Sequence, residues 1–359
     1  GSLGDGLVWK RENQTTVFDA RNSGLANSST PQEGCWVSGL WVSPKNEVWA
    51  SNPKTTLPLK LRLSNGNWAG FRPPFSLPQQ GFNRVMGDDA GNIWLTAPGL
   101  GLVAYHPGNS SPSASDDRWK LFQPGSGQGN LPHLDVYSMV ADKDGSIWVG
   151  TGDGLALIVC NDQLYQGNAC DAIIPVVQQG RFSGRLLQQE TVLSLAVDGA
   201  NRKWAGTRNG AYLLSPDGKQ VLAHFTVQNS PLLNNEVLQI GILPQTGEVF
   251  FATPAGLSSY RSQATEASAS VSVDVFPNPV LPGFSGLIGI RGLPENAWVK
   301  ITELNGRLVA QVRSLGGQAT WDGRDQSGKK VAAGVYLVLA RGTDGREKIA
   351  TKIVKASND

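Results

Sequence analysis

The stretch KDGSIWVGTGDGL, residues 143–155, carries three alternating glycines in its second half, Gly150-Thr-Gly-Asp-Gly154. A glycine-rich loop that cradles phosphate has to open a helix, because the N-terminal amides of the helix point at the anion. The residues that follow, Leu155–Cys160, are apolar and partly β-branched, which favours a strand. We therefore interpret the stretch as a β-hairpin and not as a nucleotide-binding loop.

The same pattern recurs along the chain. Five segments contain an alternating apolar strand, a polar turn and a second strand with an aromatic residue at one fixed place. The aromatic residues are Trp49, Trp94, Trp148, Trp204 and Phe250. They follow one another at about 45 to 56 residues, a period that suits a four-stranded propeller blade. A large residue at one place in every blade is expected to pack between adjacent blades.

A third strand and a linking turn complete most of the repeats. The third strand follows the two paired strands and begins at a glycine turn. A less regular fourth strand and a linking turn come after it. Residues 4–9 match a third strand without the two that should precede it. The sequence thus predicts a β-propeller of five full blade signatures and a half blade. We expect either a longer protein or a half blade that closes on the last blade.

Two carboxylates, one immediately before the opening stretch and one within it, need a separate interpretation. Asp142 and Asp144 resemble the start of a calcium-binding loop, in which carboxylates gather around the ion. The equivalent turns, Pro44–Glu47 and Pro244–Gly247, lack this pattern, and no glutamate follows Asp144 at the required spacing. The sequence therefore predicts a hairpin turn here and no metal site.

Composition limits the classes of function. The 359 residues include 43 glycines, 21 prolines and 11 tryptophans, which indicates many short strands and turns. A net charge of +2 gives no reason to expect a nucleic-acid partner. No apolar run is long enough to predict a membrane span.

The three cysteines suggest one covalent link. Cys160 and Cys170 flank a short polar loop that could close as a disulfide, which would fit an oxidising compartment. Two free thiols are the alternative for this pair. Cys35 is left over and has no assigned role.

The repeat pattern stops after Tyr260, and a second domain follows. We assign residues 1–262 to the propeller, 263–270 to a small polar linker and 271–359 to the second domain. The second domain contains a strong turn signal at Asn305-Gly306 between two alternating strands. About seven short strands in its length predict an Ig-like β-sandwich.

Both parts resemble known families. The repeats, of the form DGxIWVGTxxGL, resemble the two-component regulator propeller repeats of periplasmic sensor regions. The second domain resembles the C-terminal sorting domain of Bacteroidetes proteins that the type IX secretion system exports. The matching segments are FPNP at Phe276–Pro279, ITELNGRLV at Ile301–Val309, WDGRDQSGKKVAAGVYLV at Trp321–Val338 and TKIVK at Thr351–Lys355.

Together the resemblances imply a propeller-bearing surface component of the type IX attachment machinery, of which this chain would match the C-terminal half. Such a component is exported through the periplasm to the outer membrane. The resemblance implies that it binds anionic lipopolysaccharide and assists the sortase-like peptidase that attaches this glycolipid to cargo. It implies no cofactor and no catalytic role.

Two other functions remain open at this point. A type IX cargo, such as a propeller adhesin or glycan-binding protein, would carry a similar C-terminal domain. A propeller-based glycan-active enzyme is the second alternative. The histidines His106, His133 and His224 form no metal-ligand spacing. The carboxylate pairs at residues 88–89 and 116–117 have no partner that the sequence identifies, so we assign no catalytic, metal or ligand-binding residue.

Overall fold

The structure is a computed structural model that describes residues 1–108, 116–160, 163–167, 170–179, 182–267, 273–341 and 347–357. Almost all of its regular structure is β-strand, arranged in small antiparallel sheets. This confirms the predicted all-β fold. Residues 268–272, which hold the end of the predicted linker and the start of the predicted second domain, lie outside the described residues.

The chain opens with short strands that pack on the first full blade. They are β1 (Leu3–Gly4), β2 (Leu7–Arg11), β3 (Gln14–Phe18) and, after a 3-10 helix at Pro31–Glu33, β4 (Cys35–Trp36). Strand β2 pairs with β3, and β1 pairs with β4. Leu7 shares a buried cluster with Ala50 of the first full blade. The half blade therefore lies against the first full blade, and in the described residues its strands do not pair with the sheet of the last blade.

Five blades follow in chain order. The first two are β5 (Gly39–Val42), β6 (Val48–Ser51), β7 (Leu59–Arg62) and β8 (Trp68–Phe71), then β9 (Val85–Gly87), β10 (Ile93–Ala97), β11 (Gly101–His106) and β12 (Arg118–Phe122). The third contains β13 (Val136–Ala141), β14 (Ile147–Thr151) and β15 (Gly154–Ile158), followed by a separate hairpin of β16 (Val176–Gln179) and β17 (Phe182–Arg185). The last two are β18 (Val192–Val197), β19 (Lys203–Thr207), β20 (Gly210–Leu214) and β21 (Val221–Phe225), then β22 (Gln239–Leu243), β23 (Glu248–Thr253) and β24 (Gly256–Arg261).

The stretch of residues 143–155 forms a hairpin. Strands β14 and β15 pair from Ile147 opposite Ile158 to Thr151 opposite Gly154. Gly145 and Gly154 have φ values of 78° and 84°, a region that favours glycine, so these glycines serve the two turns. No helix follows the second turn, because the chain continues directly into β15.

Two blades depart from the four-stranded repeat. In the third, the fourth strand is replaced by a single bridge between Leu157 and Ile173, because the chain forms the β16–β17 hairpin instead. In the fifth, the chain leaves β24 for a segment in which Glu266 bonds Pro244 and Thr265 bridges to Gly316. That segment is bonded elsewhere and adds no fourth strand to the sheet.

The repeated tryptophans fill the spaces between blades, as predicted. Trp49, Trp94, Trp148 and Trp204 are each at most 3% exposed. Each lies in a cluster with residues of the following blade, such as Trp204 with Ile240 of β22. The prediction is wrong for Phe250, which is half-buried on the other face of β23, while its neighbour Phe251 enters the cluster.

Three of these indoles are each held in place by an aspartate carboxylate of their own hairpin. Asp88, Asp142 and Asp198 accept hydrogen bonds from the indole Nε1 six residues later, at 2.7, 2.9 and 3.2 Å. In each case the same carboxylate also accepts backbone N–H groups of its own turn. The aspartate of the repeat therefore joins the hairpin turn to the core between blades.

The last strands form two sheets around one core. They are β25 (Asp274–Phe276), β26 (Ile288–Arg291), β27 (Trp298–Glu303), β28 (Leu308–Arg313), β29 (Gln318–Trp321), β30 (Gly334–Arg341) and β31 (Glu347–Lys355). One sheet has the order β25-β26-β29 and the other β28-β27-β30-β31. Ile290, Ile301 and Val338 are fully buried in the cluster between them. This arrangement is that of a β-sandwich.

Candidate functional site

The two ends of the blade sheets carry different kinds of connection. We call the end at which the first strand of each blade begins the loop face; its first residues are Gly39, Val85, Val136, Val192 and Gln239. At the opposite end, the turn face, short hairpins such as residues 142–146 join the first strand to the second. Ser51, Leu59 and Phe71 pair side by side at the loop face, so the β6–β7 and β8–β9 connections both leave from it.

These two connections enclose an open pocket, which we call the loop-face pocket. Its volume is about 510 Å³, within the range of small-molecule sites. The lining combines hydroxyl and amide side chains with apolar ones, including Thr55, Ser76, Gln79 and Phe75. Such a mixture suits a ligand that presents both hydroxyl groups and apolar ring faces, as sugars do.

One cation of the pocket is already neutralised. Lys54 Nζ lies 2.7 and 2.8 Å from the two carboxylate oxygens of Glu33, and Ser28 donates to the same carboxylate. The hydrogen bond from Lys54 holds the pKa of Glu33 below its ordinary value. Lys54 also lies 4.3 Å from the ring centre of Trp36, which fixes its stem. The Lys54 side chain is therefore held in one position in the lining of the pocket.

The second cation is free. Arg72 follows β8 directly, is exposed, and has no carboxylate within 4.0 Å in the part of the chain that the structure describes. A guanidinium group offers five N–H donors in a planar fork that matches carboxylate or phosphate. The loop-face pocket thus offers one uncompensated positive charge beside hydroxyl groups, an arrangement that can bind an anionic sugar.

The sequence-predicted residues lie elsewhere. Asp142 bonds Trp148, and Asp144 accepts from Asn201 at 2.8 Å, so neither faces an open ligand position. His106 and His133 accept backbone N–H groups two residues away, and His224 stacks on Tyr212 with ring centres 3.9 Å apart. Across the described ranges, no group of three or more histidine, cysteine or carboxylate side chains could hold a metal ion.

The carboxylate pairs also stay apart from the pocket. Asp88 belongs to a turn of the core, as described above, and burial raises the pKa of Asp117 beside β12. Neither pair lines the loop-face pocket.

The three cysteines occupy two environments. Cys160 and Cys170 are joined as a disulfide with their Cα atoms 5.7 Å apart, and Cys170 belongs to the cluster between the second and third blades. The disulfide between these two cysteines stays a prediction. Cys35 is a buried free thiol whose pKa is raised by burial.

Sequence reasoning missed the residues of the pocket. Lys54 and Arg72 lie in connections of irregular length that have no counterpart in the other repeats. Their only signal is position, since each comes within a few residues of a strand end at the loop face. Nothing in the spacing shows that two separate connections meet.

Comparison with known proteins identifies the propeller repeat. The sequence profile of the two-component regulator propeller family matches residues 130–153. No curated protein sequence matches the chain. In the described residues, no helix is long and apolar enough to cross a membrane.

Solved structures give a broader match. The chain is similar to PorZ, an essential bacterial surface component of the type IX secretion system of Porphyromonas gingivalis, with a TM-score of 0.70 and 25% identity. The match covers 99% of this chain and 50% of PorZ, so the chain spans about half the length of that protein. The predicted resemblance to a propeller-bearing surface component of the type IX machinery is thereby confirmed.

Two further solved structures match with lower TM-scores. The extracellular domain of a hybrid two-component system from Bacteroides thetaiotaomicron matches with a TM-score of 0.46 and 12% identity, over 98% of this chain and 50% of that one. Virginiamycin B lyase from Staphylococcus aureus matches with a TM-score of 0.44 and 11% identity, over 87% and 92% of the two chains. We draw no functional argument from either.

Proposed function

We propose that this PorZ-like chain is a non-catalytic cell-surface component of the type IX secretion and attachment machinery. It binds anionic lipopolysaccharide and assists the sortase-like peptidase that attaches this glycolipid to cargo. The observation that carries the proposal is the similarity to PorZ over almost the whole chain. The outer-membrane location belongs to the same proposal.

The loop-face pocket supports the binding part of the proposal. Arg72 supplies an uncompensated positive charge, and neighbouring hydroxyl groups supply donors and acceptors for sugar. The pocket is open on the side of the longer connections, where an extended glycan can enter. We therefore place the contact with an acidic group of the polysaccharide at Arg72.

The junction between propeller and sandwich favours machinery over cargo. Ser262, Ala264 and Thr265 are at most 4% exposed, although they belong to or adjoin the predicted linker. Gly317 donates its backbone N–H to the carbonyl of Thr265 at 2.8 Å. On the propeller side, Lys143 of the turn face forms a 2.7 Å ion pair with Glu266. We call these contacts the junction.

The described part of the connection, up to residue 267, is closely packed at the junction. A Cβ atom added to Gly199 would lie 1.9 Å from the carbonyl oxygen of Thr265, and one added to Gly316 would lie 2.1 Å from the same oxygen. The backbone at Thr265 therefore packs against the backbone of Gly199 on the propeller side and of Gly316 on the sandwich side. A cargo domain that is cut away after export needs an accessible connection, whereas a retained domain does not. We propose that the sandwich, residues 271–359, stays attached.

The binding proposal is tested by capture on purified anionic lipopolysaccharide. We expect enrichment over a lipopolysaccharide that lacks the anionic polysaccharide, and weaker capture as salt rises, because exposed charge pairs are screened. Arg72→Ala should reduce the capture, and Arg11→Ala, which removes an exposed arginine outside the pocket, should not. Equal capture on the two lipopolysaccharides would contradict the proposal.

A further inference from the structure

One arginine crosses the centre of the propeller. Arg84 immediately precedes β9 in the second blade, yet its guanidinium donates to Gln239 Oε1 in the fifth blade at 3.0 Å. The same group lies 3.4 Å from the carbonyl oxygen of Leu193 in the fourth blade. Its side chain therefore lies across the loop-face mouth of the channel that the first strands of the blades surround.

Both acceptors are neutral, and no acidic group joins them. In the described part of the chain, no carboxylate lies within 4.0 Å of the Arg84 guanidinium. Burial lowers the pKa of this half-buried group, and no neighbouring charge counters the effect. A cation removed from water without an opposite charge is costly, so its presence needs an explanation.

Three other cations of the propeller are paired with carboxylates. Lys54 pairs with Glu33, Lys203 with Asp142 and Arg202 with Asp198, all at 2.7 to 2.9 Å. Lys60 is buried without a carboxylate partner, and burial lowers its pKa, but a lysine can lose its proton. An arginine keeps its charge in proteins. The chain thus leaves a permanent positive charge in the channel mouth.

A bulge in β18, with an equivalent bulge in β13 of the preceding blade, supplies one of the two acceptors. The pairing of β18 with β19 shifts register between Val192 and Ser194, which leaves Leu193 as a bulge in the first strand of its blade. Strand β18 is the edge of its sheet, so the carbonyl of Leu193 is free to turn to the channel. Bulges of this kind re-aim groups beside binding sites. Here the bulge presents the carbonyl oxygen of Leu193 to the Arg84 guanidinium.

We propose that the channel mouth at Arg84 is an oxyanion-binding site for a carboxylate or phosphate group. Gln239 and the carbonyl of Leu193 hold the guanidinium in place with two of its five donors, which leaves the other N–H groups for a ligand. A planar oxyanion accepts two of them side by side. The site is separate from the loop-face pocket and does not depend on the glycolipid proposal, because a small soluble anion suffices.

The experiment follows the backbone amides of Leu193 and Gln239 by NMR in the full chain. Inorganic phosphate and glucuronate are titrated separately, with glucose as the neutral control. We expect both amides to shift with at least one anion and not with glucose. A response to phosphate alone assigns a phosphate group, and a response to glucuronate alone assigns a carboxylated sugar.

Variants separate binding from support of the fold. Arg84→Gln should weaken the anion response about ten-fold or more, because a charge-assisted hydrogen bond is lost. Arg84→Lys should keep part of it, and Arg11→Gln should leave it unchanged. If neither amide responds in the wild type, or if Arg84→Gln responds as the wild type does while staying folded by circular dichroism, the proposal is wrong. Failure of capture on lipopolysaccharide would leave these outcomes untouched.

Discussion

Removal of the Asp142 carboxylate should weaken the propeller more than removal of its counterpart one blade earlier. Asp142 accepts from Trp148 Nε1 at 2.9 Å and pairs with Lys203 Nζ at 2.9 Å. The lysine and aspartate side chains are 0% and 4% exposed. Lys203 comes from the next blade, so the pair joins two blades inside the core. Asp142→Ala leaves a buried ammonium without its counter-charge.

The size of the effect follows from that uncompensated charge. Breaking a buried ion pair from one side costs about 3–5 kcal/mol. Asp88 makes the same indole bond to Trp94, at 2.7 Å, but the place that corresponds to Lys203 is occupied by the apolar Ile147. Asp88→Ala therefore loses hydrogen bonds only, at about 1–3 kcal/mol. The difference of about 2 kcal/mol corresponds to about 4–8 °C in melting temperature for a large domain.

The assay is thermal unfolding of the two single variants and of a double variant. Asp142→Ala combined with Lys203→Met removes both charges, so the double variant should melt above Asp142→Ala alone. Equal melting temperatures for Asp142→Ala and Asp88→Ala would refute the reasoning. So would a double variant that melts no higher than Asp142→Ala.

Three further predictions concern pH, the junction and the thiols. Burial alone would raise the pKa of Asp142, but hydrogen bonds from Lys203 and Trp148 outweigh it and hold this pKa below its ordinary value of 3.8. Its stabilisation is therefore full above that value and lost as the pH falls through the lower folded pKa, so wild type and Asp142→Ala should differ in melting temperature near neutral pH and converge in strong acid; a constant difference would contradict this. Gly316→Ala, at a φ of 60° and facing the Thr265 carbonyl, should speed release of the sandwich by limited proteolysis, whereas Gly328→Ala, at a φ of 82° in open space, should not. Equal rates of release would argue against the junction. In denaturant without reductant, a thiol reagent should label Cys35 alone, and labelling of three cysteines would show that Cys160 and Cys170 are unpaired.

The repeat could be predicted from sequence because its physical demands are local. An alternating strand, a turn with Asp142 or its counterparts and an indole six residues later all lie within one hairpin. The same chemistry therefore appears in the sequence at a fixed spacing. Phe250 has the same spacing, but in the described residues no further blade packs against the face of β23 that carries it. The local pattern therefore predicted full burial for a side chain that is only half-buried.

Neither the loop-face pocket nor the channel mouth at Arg84 could be predicted, because the residues of each site meet across the fold. Arg84 and Gln239 are separated by 155 positions and come together because two first strands lie on opposite sides of one channel. Lys203 occupies the position that Ile147 occupies in the preceding repeat, so the sequence shows a lysine at an inward position. Its partner, Asp142, lies in another blade. In the predicted linker, small polar residues indicate flexibility, while close backbone contacts bury Ala264 and Thr265.

The most direct test of the proposed role is the intact mass of the protein recovered from the cell surface. The account predicts a mass that includes residues 271–359, since a machinery component keeps its sandwich. A surface form that lacks these residues and carries a covalently attached glycolipid would contradict it and identify the protein as cargo.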